Sequence, residues 1–129
     1  MSLFSGLKIS ASALSVERLR MNVIAENIAN AETTRTPEGG PYRRREVQIA
    51  SSGEAPGVYA SVASDPRPDR LMYDPSHPEA NAEGYVRMPN VDLPAEMVDM
   101  MTATRAYEAN TVAFQSQRQT QERTLELLA

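Results

Sequence analysis

Eight of the nine prolines and five of the six glycines lie between residues 33 and 90. Proline removes an amide donor and clashes with the preceding turn, and glycine is the next worst helix former, so the middle of the chain is closed to long helices. The two flanks read the opposite way. In the first, Leu7, Leu14, Met21 and Ile28 recur every seven residues, with Ile24 and Ala31 on the interleaved position. In the second, Leu93, Met100, Tyr107, Phe114 and Leu128 share one heptad position, with Met97 and Leu125 on the neighbouring one. Such repeats mark helices that bury a stripe against other helices. The layout predicts a mainly α chain with a small β-rich insert. Long N- and C-terminal helices, 1–32 and 92–129, form one domain as a coiled-coil-like pair around the insert at 33–91.

Both seams are interrupted, the first by Ser10 and Glu17 and the second by Thr104, Thr111, Arg118 and Gln121. Neither therefore reads as an isolated two-stranded zipper, and each face expects several neighbours. Composition points the same way. The chain is 41% hydrophobic but only 5% aromatic, with no tryptophan and two phenylalanines, so large core-building side chains are scarce. A hairpin of the two helices alone is expected to be marginal, its core completed by neighbouring subunits, and a deep enzyme-like core is not expected.

Local signals refine the outline. The first helix is expected from Ser2, as N-cap, to Ala31, with several serines and Gly6 lowering its propensity. Residues 42–50, 58–63, 71–73 and 85–88 are short β candidates bounded by turn residues. Residues 65–81 hold four prolines and read as an extended loop with polar, peripheral contacts. Asp92 is placed to cap the last helix, and Pro94 falls in its first turn, where a missing N–H costs nothing.

The net charge of −4 gives no reason to expect nucleic acid or an anionic membrane as a partner. Arg43, Arg44 and Arg45 are the local exception. On a strand, alternate arginines point to opposite faces, and the cluster reads as a solvated strand edge rather than a phosphate site. The absence of cysteine excludes disulfide and thiolate chemistry. No stretch approaches the ~20 apolar residues of a membrane span. A basic start followed by an unbroken apolar run is missing too, so no cleaved signal peptide is expected, which by itself suggests a cytoplasmic protein.

Candidates for chemistry are weak. His77, the only histidine, sits between Ser76 and Pro78 with no strained strand-to-helix nucleophile turn nearby. Asp65, Asp69, Asp74, His77 and Glu79 match no EF-hand or zinc spacing, and Gly39–Gly40 lacks the lysine of a phosphate loop. No catalytic, cofactor or metal site is assigned, no small-molecule substrate is expected, and the chain is not read as an enzyme. Asn27 and Asn30 suit either a helix end, since asparagine tolerates the left-handed conformation, or amides that tie that end to a neighbouring chain. Met97, Met100 and Met101 suit interhelical core better than a free docking surface, although that core can lie between subunits.

Two runs carry a family resemblance. RMNVIAENIANAET (residues 20–33) and EMVDMMTATRAYEANTVAF (residues 96–114) resemble the amino- and carboxy-terminal signatures of the bacterial flagellar rod and hook axial proteins. GGPYRRREV (39–47), YDPSHPEANAEGYV (73–86) and RMPNVD (87–92) are similar to the proximal-rod members, whereas hook and distal-rod subunits carry much larger middles. The resemblance implies a structural subunit that is exported unfolded through the flagellar type III apparatus, without a cleaved signal. It would then stack helically with itself and other rod subunits in the basal-body rod, across the periplasm, transmitting torque for motility. Glu17, Arg18, Thr104, Thr111 and Arg118 would set register between unlike subunits. Under this reading the assembly interface comprises Leu7, Leu14, Met21, Ile24, Asn27, Ile28, Asn30, Met97, Met100, Met101, Tyr107, Asn110 and Phe114. Tyr85, Val86, Pro89, Asn90 and Asp92 form the insert-to-helix junction. The competing reading is a soluble coiled-coil adaptor with no rod role.

Overall fold

A computed structural model describes residues 3–51, 53 and 56–129; the Ser2 cap expected for the first helix lies outside them. Helix α1 covers Leu3–Ala29. Strands β1 (Arg45–Ser51), β2 (Val58–Ser64), β3 (Arg70–Tyr73) and β4 (Tyr85–Met88) follow, and α2 covers Leu93–Leu128. The four strands expected from turn punctuation are all present, with ends shifted by up to three residues at β1 and by one at β2 and β3. They form two separate antiparallel pairs, β1 with β2 and β3 with β4.

The helices run antiparallel. Ser10 donates to Gln117 Oε1 at one end (3.1 Å), and Asn27 meets Glu96 at the other (3.1 Å). With 36 residues, α2 spans roughly 54 Å at ~1.5 Å per residue. Asp92 is extended and its carboxylate accepts the Ala95 N–H at 3.4 Å, with Pro94 in the first turn as anticipated. At the end of α1, Asn30 Nδ2 donates to the Glu26 carbonyl (2.9 Å) while its Oδ1 accepts the Thr33 hydroxyl (3.1 Å). This turn needs no left-handed residue: among the described residues only glycines have positive φ.

The inner stripe of α2 differs from the expected one. Glu96 and Ala103 are buried, with Asn110, Gln117 and Thr124 half-buried on the same heptad position. Met97 and Met101 are 56% and 57% exposed, and Leu93 and Leu125 are exposed as well. Met97 and Met101 therefore lie outside the core within the chain. One residue along a helix is a rotation of about 100°, and choosing the stripe by side-chain size missed that small Ala103 lets the helices approach closely. On α1 the same logic applies. The position holding Ser10, Ile24 and Ala31 is buried, and Leu7, Leu14, Met21 and Ile28 are half-buried beside it. The seam threonines are self-satisfied, since Thr104 and Thr111 donate to the carbonyls of Met100 and Tyr107 (both 2.8 Å).

The β1–β2 hairpin packs on α1. Strand β4 turns Val86 and Met88 inward, while Tyr73 and Tyr85 meet edge to face at 5.3 Å on its other side. Gly84, at φ +83°, makes the turn into β4 and lies against Tyr73.

Candidate functional site

The polar centre of the molecule is where the end of α1, the start of β1, the loop after β2 and the first turn of α2 converge. Asn27 is fully buried and uses its amide on both sides. Nδ2 donates to the Arg45 carbonyl (2.8 Å) and to Glu96 Oε2 (3.1 Å). Oδ1 accepts from the Arg45 N–H (3.0 Å) and the Tyr42 hydroxyl (2.9 Å). Burial, with Glu26 nearby, raises the Tyr42 pKa, which keeps that hydroxyl a donor. All four bonds close within the subunit.

Arg44 is the second hub. Its Nε donates to Glu96 Oε1 and its Nη1 to Asp65 Oδ2 (3.1 Å), while its backbone N–H donates to Asn90 Oδ1 (2.8 Å). Asn90 Nδ2 in turn donates to the Arg67 carbonyl (3.0 Å). Burial disfavours the Arg44 charge, but the bonds to Glu96 and Asp65 outweigh it and its pKa is raised. The Arg67 guanidinium beside Asp65 holds that carboxyl well below the usual carboxylate range, against the effect of burial and with help from Arg44. A buried carboxylate with 1% exposure, such as Glu96, is tolerable only when paired and hydrogen-bonded, and here it is both.

Alternation along the arginine cluster is as expected, with Arg43 and Arg45 outward and Arg44 inward. The solvated-edge reading fails for Arg44, because the inward face meets helix ends rather than water. The peripheral reading of residues 65–81 fails at Asp65 and Asp69 for a similar reason. Asp69 clips Arg43 (3.3 Å) and Arg87 with its side chain largely sheltered. Arg44, Asp65 and Glu96 were absent from the expected site, and the one sequence signal for them was the inward-facing middle arginine.

The remaining candidates divide cleanly. Ile24, Val86, Pro89 and Asn90 are buried, whereas Met100, Tyr107, Asn110 and Phe114 are half-buried on the inner side of α2 and Asn30 is half-buried at the turn. Tyr85 and Asp92 are exposed. In the loop, Asp74 Oδ1 accepts the Ser76 N–H (3.1 Å) and hydroxyl (2.6 Å), and His77 Nδ1 accepts the Glu79 N–H (3.0 Å). These groups shape their own turn. Among the described residues no group of three or more His, Asp or Glu side chains is arranged to hold a metal ion, and no helix is long and apolar enough to cross a membrane.

The arrangement clamps the insert to the two helices, and the chain can be compared with known proteins segment by segment. Residues 7–35 match the family described as flagella basal body rod protein, and residues 82–127 match the flagellar basal body rod FlgEFG protein C-terminal family. These are the segments that contribute Asn27 and Glu96. The flagellar basal-body rod protein FlgC of Yersinia enterocolitica is 44% identical, over 98% of this chain and 98% of its own. The FlgC protein of Borreliella burgdorferi is 41% identical over 92% of each, and that of Bacillus subtilis 43% identical over 88% of this chain and 90% of its own. Identity at this level along nearly the whole length places the chain in the FlgC family of flagellar basal-body rod proteins.

Proposed function

We propose that this chain is a structural subunit of the flagellar basal-body rod that polymerises helically with itself and other rod subunits and transmits torque. The observation that carries the reading is the family match over nearly the whole chain. The surface supports it. Leu93, Met97, Val98 and Met101 present an apolar strip along α2, the composition of a helix awaiting a neighbour. Among the described residues Glu17 Oε2 is buried with no hydrogen-bond partner, and the cation within ion-pair distance of it is Arg20 at 3.9 Å. A neighbouring donor would complete it.

On this reading the 1–32 and 92–129 helices form the inner packed layer, as a coiled-coil-like pair whose core adjacent subunits complete. The insert faces outward, fixed to the helices by the Asn27–Arg44–Glu96 clamp. Export through the flagellar type III apparatus and a final position across the periplasm belong to the same proposal. Axially aligned helices with broad lateral contacts resist shear, which a drive shaft requires.

The test is a Met97→Glu, Met101→Glu chain supplied to cells lacking the native one. Both side chains are exposed in the subunit, so its stability should change by less than about 0.5 kcal/mol each, while rods counted by electron microscopy and swarming should be lost. Normal rods and swarming would sink the proposal.

A further inference from the structure

Two helices that meet along a heptad seam can slide past each other by one heptad and find a similar pattern again. Here Ser10 faces Gln117, Met21 faces Thr104 and Asn27 faces Glu96. Helix α2 has 36 residues against 27 in α1. These pairs leave most of the excess beyond the start of α1, where Leu125, Leu127 and Leu128 are 65%, 87% and 80% exposed. Drawing α2 one heptad toward its own N-terminus, about 10.5 Å at ~1.5 Å per residue, brings that overhang alongside α1 and keeps the whole of α1 covered. The opposite shift would strip the end of α1 of its partner, because α2 begins at Leu93.

The apolar seam chooses weakly between the two alignments. Met100, Tyr107, Phe114 and Gln121 are half-buried on one heptad position of α2, and the shift exchanges Met100 for Leu128. On the inner position Thr124 arrives opposite Ser10. Its hydroxyl donates to the Thr120 carbonyl (2.8 Å) and retains lone pairs that can accept the Ser10 proton. The Ser10 bond therefore survives in either alignment. Asn110 takes the place of buried Ala103, at some cost in close packing. The larger loss is at Glu96, whose place beside Asn27 passes to Ala103. Asn27 Nδ2 and Arg44 Nε then lose the carboxylate they share. A buried polar pair adds little net stability beside an apolar alternative, but it discriminates strongly between alignments that make it and alignments that break it.

We propose that the Glu96 carboxylate, held by Asn27 and Arg44, is a register latch that selects the described alignment of the helix pair over one displaced by a heptad. Because the β1–β2 ribbon packs on α1, the latch also fixes the height of the ribbon along α2.

The chain has no cysteine, so introduced thiol pairs report the alignment without background. Ser10→Cys with Gln117→Cys reads the described register, and Ser10→Cys with Thr124→Cys reads the shifted one. Each full-length chain is treated in dilute solution with dibromobimane, and fluorescence of the monomer band records closure of the pair. A bond to a charged group weights one register by about tenfold or more, so in the otherwise native chain the first pair should close faster by at least that factor. Arg44→Met with Glu96→Leu removes both charges, and Asp65 keeps Arg67 at 2.6 Å. That change should raise closure of the Thr124 pair by about tenfold, to the rate of the Gln117 pair or above it. An unchanged preference in this variant, or equal rates in the native chain, overturns the latch. Ser10→Cys with Arg105→Cys is close in neither register and reports separation of the helices. If it closes as fast as the others in the double variant, the decision passes to Glu96→Gln, which keeps the side-chain shape without the charge. A severalfold rise of the Thr124 pair in that chain, with the Arg105 pair still slow, supports the latch, and any other result overturns it.

Discussion

Replacing Asn27 by Asp preserves the shape of the side chain and inverts half of its chemistry. The oxygen that accepts from Arg45 and Tyr42 remains, but the Nδ2 that donates to Glu96 Oε2 at 3.1 Å becomes a second carboxylate oxygen. Two charges at that distance repel by about 5 kcal/mol at an effective dielectric constant of ~20. Losing a donation to a charged acceptor costs about 1.5–3 kcal/mol more. Arg44, bonded to the same Glu96, offsets part of this. A net loss of roughly 3–5 kcal/mol at neutral pH is expected, a large share of the ~5–15 kcal/mol that holds a typical domain together.

The pH dependence separates this cause from simple loss of a contact. Close carboxylates resist ionising together, so the introduced group binds a proton in the folded state that it has released when unfolded, where its pKa is about 3.9. Stability of the variant therefore falls as pH rises through the raised value and recovers as pH is lowered toward about 5. Asn27→Ala removes the same bonds without adding charge, and its deficit, about 2–4 kcal/mol from the buried groups left unpaired, should stay nearly constant over that range. Urea denaturation followed by far-UV circular dichroism, at about pH 7 and pH 5, reads both. Equal deficits for Asn27→Asp at the two pH values, or a variant as stable as the native chain, would refute the reasoning.

Two further outcomes are expected. Gly84→Ala must hold a Cβ at φ +83° and only 2.9 Å from Tyr73 Cε2 and 3.2 Å from Pro75 Cβ, so it should lower Tm by more than Gly39→Ala. Gly39 has a similar φ of +89° but open space around it, leaving only the backbone cost of about 1–2 kcal/mol; equal losses would show that the Tyr73 contact is irrelevant. The native Asp65 carboxyl has a folded-state pKa depressed mainly by Arg67, so it stabilises the chain above its unfolded pKa of about 3.9 and loses that contribution as pH falls further. Asp65→Asn should be less stable at pH 7 and lose less on acidification, and parallel acid limbs in the two proteins would contradict this.

How much of this was legible depended on the kind of signal. Proline and glycine act through local backbone restrictions, so the order helix, four strands, helix could be read directly, as could the Asp92–Pro94 helix start. The rotation of α2 could not. Apolar size selected Met97 and Met101, whereas close approach selected Ala103 and a charge, Glu96, that is buried only because Arg44 and Asn27 arrive from segments 52 and 69 residues away. A buried carboxylate is illegible in sequence until its partners are placed. Asn27 illustrates the same limit, since its composition fits a helix end, a turn or a partner contact equally well.

The carboxamide of Asn27 is chemically a peptide group, and it engages both the N–H and the C=O of Arg45 as a neighbouring strand would. At the far corner of the hairpin, the Ser12 hydroxyl accepts the Val58 N–H at 3.1 Å. Helix α1 thus serves as a jig for the β1–β2 ribbon, gripping one outer margin at each end. Because strand geometry alternates with a period of two, a slip of one residue would turn the backbone groups of Arg45 toward β2 and present those of Arg44 instead. The helix thereby chooses among pairings that the ribbon's own small and β-branched side chains distinguish poorly, and it does so while denying part of each open margin to strands from other molecules.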